Sequence, residues 1–242
     1  PLGTTMVVRD LFYNTPARLK FMKKDAAEGA AVFGVVQRVA LSHPEVAVKF
    51  LRDGKQELAT PGDGQLRSAV YAVLGRDLAL GFTQVDSSDE GMSVSGFVSQ
   101  PSCCRASRNW QFFFVNGRQV KSRLMMAALE EAYQNQKMVG KFPGCVLHLT
   151  TRLSAVDVNV HPAKIEVRFA RENDIFDVVY HAVKLALAQP GTGERHFTFE
   201  ETKTNEKSKI EVSDRESLKN AVKKNNFTGL SAIIPGQADP GT

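Results

Sequence analysis

The composition of this 242-residue chain changes after Gln189-Pro190, and the change limits where a folded core can form. Residues 191–242 are rich in Lys, Glu, Ser, Thr, Asn and Gly and contain few aromatic residues. Such a segment cannot bury enough apolar surface to offset the entropy lost when it is ordered. We therefore expect residues 190–242 to be a linker, despite a short apolar stretch at Leu230–Ile234. The core is expected within residues 1–189.

Two hydrophobic periodicities divide the foldable part of the chain into helices and strands. Apolar residues three and four positions apart predict helices, and alternating apolar and polar residues predict strands. A helix start is predicted at Thr15-Pro16, and an amphipathic helix with Val32, Val35, Val36 and Val39 on one face is predicted to end near Ser42-His43-Pro44. Three further helices are predicted from their buried faces, which are formed by Leu66, Ala69, Val70, Val73 and Leu74, by Met125, Leu129 and Tyr133, and by Ile175, Val179, Ala182 and Ala186. The predicted strands cover residues 4–12, 46–51, 55–59, 82–86, 92–98, 110–115, 145–149, 156–160 and 165–169.

Capping and turn residues mark the ends of several of these elements. Thr15 and Ser122 can act as helix N-caps. Asp53-Gly54 and Asn116-Gly117 are typical of hairpin turns. Thr60-Pro61-Gly62-Asp63-Gly64 is the best candidate for a domain boundary. Together these patterns predict an α+β chain in three parts, residues 1–60, 61–189 and 190–242.

Composition excludes several classes of protein. No apolar run approaches the roughly 20 residues that a membrane span needs, and no signal peptide is visible. The three cysteines, Cys103, Cys104 and Cys145, include no C-x-x-C pair, and no two histidines have metal-ligand spacing. Reduced thiols in a cytosol-like compartment therefore fit better than a disulfide framework or a zinc site. Because a strand pattern follows Pro1 almost at once, we expect the chain to begin inside a domain of a longer protein.

The net charge of +5 is modest, but the positive charges are unevenly distributed. From Gly91 to Leu129 the chain has no Asp or Glu, and aromatic residues between Trp110 and Phe114 are interleaved with the basic ones. Such a stretch can neutralise phosphates, but it can equally be a solvated loop beside a buried aromatic strand. The basic residues concerned are Arg105, Arg108, Arg118, Lys121 and Arg123.

Three longer motifs identify a family. They are G-T-T-M-V-V-R-D-L-F-Y-N-T-P-A-R-L-K-F at residues 3–21, F-V-N-G-R at residues 114–118 and V-D-V-N-V-H-P-A-K-I-E-V-R-F at residues 156–169. In this order and spacing they resemble the MutL family of DNA mismatch repair proteins. The resemblance implies the tail of a GHKL-type ATPase domain, followed by a transducer domain like domain 2 of ribosomal protein S5. It also implies an ATP-switched matchmaker that couples mismatch recognition to downstream repair.

The resemblance also assigns roles to individual residues. Thr4 and Thr5 would line the nucleotide pocket, and Lys164 would be the transducer lysine that contacts the nucleotide. Arg118 and Arg123 would face DNA. Lys is suited to the nucleotide role because it is a compact charge on a flexible stem.

Cofactors, partners and location follow from the same family. ATP and Mg²⁺ are the expected cofactors, with the metal site outside this chain. The expected partners are DNA, bound mainly without sequence preference, mismatch-recognition and downstream repair proteins, and a second copy of the complete protein as its dimer partner. A bacterial-type, nucleoid-associated cytoplasmic location is expected.

Some features of an active ATPase are missing from this sequence. It contains no D-x-G-x-G, no G-x-x-G-x-G and no Walker A motif, so we expect no ATP hydrolysis by this chain alone. Two other classes of function remain open. One is a free-standing S5-like nucleic-acid-binding module without ATP chemistry, and the other is a protein-interaction scaffold.

Overall fold

The computed structural model describes residues 3–89, 91–160 and 164–188. The N-terminal part contains two helices, α1 (Pro16–Leu19) and α2 (Asp25–Ser42), followed by a hairpin of β1 (Lys49–Arg52) and β2 (Lys55–Ala59). The predicted helix start at Thr15 is confirmed, with Pro16 in the first helical position. The predicted hairpin is confirmed as well, because Asp53 and Gly54 take φ values of 51° and 76°.

The strand predicted over residues 4–12 is wrong. Residues 3–9 have irregular backbone, and Met6 and Tyr13 are 85% and 86% exposed. A strand persists only where its N–H and C=O groups pair with a neighbouring strand. None of the strands within the described residues pairs with this segment, so its strand-forming composition has no sheet to join.

A mixed five-stranded sheet forms the centre of the remaining described part. The chain continues through α3 (Leu66–Leu74), α4 (Arg76–Leu80), β3 (Phe82–Asp89), β4 (Met92–Ser99), β5 (Gln111–Val115), β6 (Arg118–Val120), α5 (Arg123–Ala132), β7 (Cys145–Thr150), β8 (Val156–Asp157), β9 (Arg168–Phe169) and α6 (Glu172–Ala188). The strand order is β3-β4-β7-β5-β6. Strands β5 and β7 are parallel, and the other neighbours are antiparallel.

Both faces of this sheet are covered, because successive side chains of a strand point to opposite faces. Phe113 packs with α5 and α6 on one face. Phe112 and Phe114 pack with α3 and the end of α2 on the other. Gly96 lets β4 and β7 approach closely, since a Cβ there would lie 2.0 Å from the carbonyl oxygen of Val146.

The burial predicted for α2 is only partly confirmed. The helix ends at Ser42, as expected, but Val32, Val35 and Val39 are each about half exposed. The residues it buries completely are Ala40 and Leu41 in its last turn. Of the valine stripe, Val36 is partly buried and packs against the core.

The two strands predicted at the third motif are shorter than expected. Only β8 and β9, two residues each, pair with one another. The Asp157 carboxylate accepts a hydrogen bond from the Asn159 backbone N–H at 2.8 Å, and this local turn ends β8 because it competes with strand pairing. His161, Pro162 and the predicted linker over residues 190–242 lie outside the described residues. None of the described helices is long and apolar enough to cross a membrane.

Candidate functional site

The turn between β5 and β6 places Arg118 on the surface. Asn116 and Gly117 take φ values of 48° and 77°, as a two-residue hairpin turn requires, which confirms their interpretation as turn residues. Asn116 is held on two sides. Its N–H donates to the Leu149 carbonyl, and its Oδ1 accepts from the Thr151 N–H, both at 2.9 Å. The turn is therefore fixed to the end of β7, with the Arg118 side chain exposed.

The last turn of α2 reaches the same hairpin from the other side. The Ser42 hydroxyl donates a hydrogen bond to the Gly117 carbonyl oxygen. Arg38, one helical turn earlier, lines a small groove together with Ser42 and Gln119. Neither α2 residue was a candidate at the level of sequence, because about 80 positions separate them from the turn and no local pattern links them.

Lys121 and Arg123 lie beside the third motif. The Lys121 N–H donates to the Ile165 carbonyl at 2.6 Å. Arg123 begins α5, whose N-cap Ser122 accepts a hydrogen bond from the Met125 N–H at 3.2 Å, as predicted. The tertiary structure thus places two of the predicted DNA-binding residues, Lys121 and Arg123, beside the segment that carries the predicted nucleotide-binding lysine.

A groove of about 840 Å³ separates α5 from this segment. Lys121 and Arg123 contribute positive charge to its lining, and Glu166 and Glu172 contribute negative charge. The apolar part of the lining is formed by Leu124, Met126, Val167 and Phe169.

Lys164 is exposed at the edge of this region. Its backbone φ of 52° lies in the left-handed region, which residues other than glycine rarely adopt. Its neighbour Ile165 is the residue held by Lys121. Thr4 and Thr5 are exposed on irregular backbone. No hydrogen bond within the described parts of the chain joins either threonine to Lys164.

Arg105 and Arg108 lie at the other end of the sheet. They precede β5, whereas Arg118 follows it, so the length of the strand, roughly 13 Å, separates them from Arg118. The Arg108 guanidinium forms two hydrogen bonds with the Glu130 carboxylate, at 2.6 and 2.9 Å, and lies 3.9 Å from the centre of the Phe142 ring. The hydrogen bond from Arg108 lowers the pKa of Glu130.

Arg118, Lys121 and Arg123 differ from Arg108 in having no acidic partner in the described part of the chain. None of the ion pairs between described residues involves them. The main chain of Arg105 bonds to Phe142 in both directions, at 2.7 and 2.8 Å, while its side chain is exposed. The five predicted residues therefore do not form one group: Arg118 lies at the β5–β6 turn, Lys121 and Arg123 lie beside the segment that carries Lys164, and Arg105 and Arg108 precede β5.

His148 is a partly buried ionisable residue that the sequence did not single out. Its ring stacks on Phe114 with 4.5 Å between the centroids, and its Nε2 atom is buried without a hydrogen-bond partner. Burial lowers the pKa of His148 to about 4, against a partial opposing effect of the Leu41 carbonyl. The imidazole is therefore neutral near pH 7. Within the described residues, no three His, Cys, Asp or Glu side chains are grouped so that they could hold a metal ion.

Comparison with known proteins identifies relatives for most of the chain. Residues 70–188 match the family model described as "DNA mismatch repair protein, C-terminal domain". The chain is 45% identical over 196 residues to the DNA mismatch repair protein MutL of Symbiobacterium thermophilum. The aligned region covers 79% of this chain and 31% of that protein. It spans about a third of the length of the curated relatives it matches.

Two solved structures share the fold. One is the N-terminal domain of a DNA repair protein, with a TM-score of 0.60 and 24% identity over 73% of this chain and 58% of that one. The other is the Aquifex aeolicus MutL ATPase domain carrying a K252N mutation, with a TM-score of 0.50 and 21% identity over 72% of this chain and 59% of that one. These similarities confirm the predicted α+β fold class.

Proposed function

Because the chain belongs to the MutL family of DNA mismatch repair proteins, we propose that it is part of an ATP-dependent matchmaker that binds DNA and couples mismatch recognition to downstream repair. Residues 1–60 would belong to the ATPase domain, residues 61–189 would form the transducer domain, and residues 190–242 would be linker. The alternative of a free-standing nucleic-acid-binding module requires neither the Gly3-Thr4-Thr5 motif nor Lys164.

The DNA-binding part of the proposal rests on one observation. Arg118, Lys121 and Arg123 are charged side chains near the β5–β6 hairpin that make no ion pair with the described residues. Cations without an acidic partner can contact phosphates without first breaking an internal pair. Contacts of this kind release counterions and do not depend on base sequence. A repair factor needs this property, since it must act wherever an error lies.

Arg105 and Arg108 are a second, weaker part of the DNA-binding proposal. Arg108 would have to exchange its hydrogen bonds with Glu130 for contacts with DNA. Arg105 has an exposed side chain, but it lies at the opposite end of β5 from Arg118. We therefore expect these two residues to contribute less than Arg118, Lys121 and Arg123.

The nucleotide-binding part of the proposal concerns Lys164, Thr4 and Thr5. The exposed position of Lys164 is compatible with contact to a phosphate oxygen of ATP, and the two exposed threonines are available to line the pocket. When bound, ATP would supply the phosphoryl group whose hydrolysis switches the complete protein. We assign the Mg²⁺ ion of the complete protein to residues outside this chain.

The partners belong to the complete protein. We propose mismatch-recognition and downstream repair proteins as its protein partners, a dimer of the complete protein as its working form, and a cytoplasmic, nucleoid-associated location. The relatives named as mismatch repair proteins support this assignment.

A salt titration of duplex binding tests the DNA-binding proposal. The wild-type chain and the Arg118→Glu/Arg123→Glu variant are compared on several unrelated duplexes. We expect the variant to bind all of them more weakly. Its plot of log affinity against log salt should be shallower by roughly 0.9 for each phosphate that the variant no longer neutralises.

A control variant with the same change in net charge separates a specific surface from overall charge. Lys49→Glu/Lys55→Glu is suitable because both lysines are exposed on the β1–β2 hairpin. This variant should keep most of the wild-type affinity. Equal affinity and equal salt dependence of wild type and Arg118→Glu/Arg123→Glu would show that the basic group is only a solvated surface.

A further inference from the structure

The end of α2 is attached to the turn that carries Arg118. Ser42 is the last residue of the helix, and its hydroxyl donates a hydrogen bond to the Gly117 carbonyl oxygen. The two residues before it, Ala40 and Leu41, are completely buried against the sheet. The hydroxyl is therefore presented to the turn from a fixed position.

We propose that Ser42 is a positioning residue for DNA binding, which acts by fixing the orientation of Arg118. The inference rests on the proposed function, because it assumes that Arg118 contacts DNA. It assigns part of the DNA affinity to a residue of α2 that lies on a different element from the basic group.

The physical reason lies in the peptide unit between Gly117 and Arg118. The Gly117 carbonyl and the Arg118 N–H belong to one plane, because the peptide bond does not rotate freely. A hydrogen bond to that carbonyl therefore restricts the backbone from which the Arg118 side chain extends. An arginine held in one orientation loses less entropy when it contacts a phosphate.

Strand pairing with Val115 fixes Arg118 on one side of this peptide unit, and the Gly117 carbonyl on the other side accepts the hydrogen bond from Ser42. The bonds to Leu149 and Thr151 are both made by Asn116, one residue earlier. Gly117 has φ +77°, and a Cβ at its position would meet open space. Glycine is conformationally permissive, so the hydrogen bond from Ser42 restricts the Gly117 carbonyl in addition to the strand pairing of Arg118.

The test measures duplex affinity for the full chain carrying Ser42→Ala. We expect affinity about two- to tenfold weaker than wild type, the range that corresponds to one ordinary hydrogen bond. Ser42→Thr keeps the hydroxyl and should restore most of the affinity.

A matched control removes a different hydroxyl from the same N-terminal part. Thr60 Oγ1 accepts a hydrogen bond from the Val48 N–H at 2.9 Å and does not contact the turn. Thr60→Val should lower the thermal unfolding temperature but leave duplex affinity unchanged. Ser42→Ala should change affinity even when its unfolding temperature stays close to that of wild type.

A double-mutant cycle distinguishes positioning from a purely structural role. If Ser42 acts through Arg118, then Ser42→Ala should cause no further decrease in affinity in a chain that already carries Arg118→Gln. Additive decreases would overturn the proposal, as would wild-type affinity in Ser42→Ala.

The outcomes also separate this inference from the proposed function. Wild-type affinity in Ser42→Ala, combined with weak binding by Arg118→Glu/Arg123→Glu, would overturn only the role of Ser42. Absence of duplex binding by the wild-type chain would overturn both.

Discussion

Protonation of His148 should destabilise the fold as the pH falls from 6.5 to 4. The ring stacks on Phe114, and its buried Nε2 atom has no partner among the described residues that could accept a hydrogen bond from a second ring proton. Burial places its pKa at about 4 in the folded chain, against an ordinary value of 6.5. Between these two values the unfolded chain binds a proton that the folded chain does not.

The sign and size of the effect follow from this difference. Above pH 6.5 His148 is neutral in both states and does not change the free energy of unfolding. As the pH falls below 6.5, the unfolded state gains a proton first and stability decreases. The decrease approaches its full value near pH 4, where the folded state also becomes protonated. This difference between the pKa values of His148 in the folded and unfolded chain lowers the free energy of unfolding by about 3 kcal/mol, at about 1.4 kcal/mol for each pKa unit.

Urea denaturation of wild type and His148→Gln across this pH range measures the effect. Glutamine does not titrate, and its amide can still donate to the Leu41 carbonyl. We expect wild type to lose about 3 kcal/mol more than the variant between pH 6.5 and pH 4. Other groups titrate in both chains, so the difference between them reports His148.

An exposed histidine provides the control. His181 lies on the solvent side of α6, and His181→Gln should follow wild type at every pH. If wild type and His148→Gln lose stability in parallel, the imidazole is solvated in the folded chain, and the burial inferred for it is wrong.

Two further predictions concern the nucleotide. Lys164→Ala in the longer protein should weaken nucleotide binding or slow hydrolysis without unfolding the domain, since a hydrogen bond to a charged group contributes about 1.5–3 kcal/mol. Unchanged nucleotide affinity together with an unchanged rate of hydrolysis would exclude Lys164 as the transducer lysine. The chain alone should release no phosphate from ATP above background in a steady-state assay, because its sequence contains no D-x-G-x-G, G-x-x-G-x-G or Walker A motif. Release that disappears on substitution of a residue in this chain would contradict the prediction.

Elements defined by short-range patterns were predicted well from the sequence. The Asn116-Gly117 turn, the Ser122 N-cap and the buried stripe of α3 are all confirmed. Each depends on residues within one or two turns of chain, where backbone angles and caps are decided. The family was likewise evident from the three long motifs, whose order and spacing carry information without any knowledge of contacts.

Elements that need a distant partner were predicted poorly. The strand expected over residues 4–12 has a suitable composition, but no strand in the described part of the chain lies beside it. The buried face of α2 was assigned from its valines, whereas the sheet selects Ala40 and Leu41. In both cases the local pattern shows which residues a segment could bury or pair, but the neighbouring elements determine which residues are buried or paired in the fold.

The sequence alone determined the family, most of the helices and strands, and the residue types available for binding phosphate. Only the tertiary structure decided which charges remain available. Arg108 and Arg118 lie in the same acid-free stretch, yet the fold places Glu130 beside Arg108 and leaves Arg118 without an acidic partner among the described residues. It also brings Ser42 to Gly117 across about 75 positions of sequence. Charge pairing and hydrogen bonding act over a few ångströms of space, and distance along the chain does not reveal which residues meet.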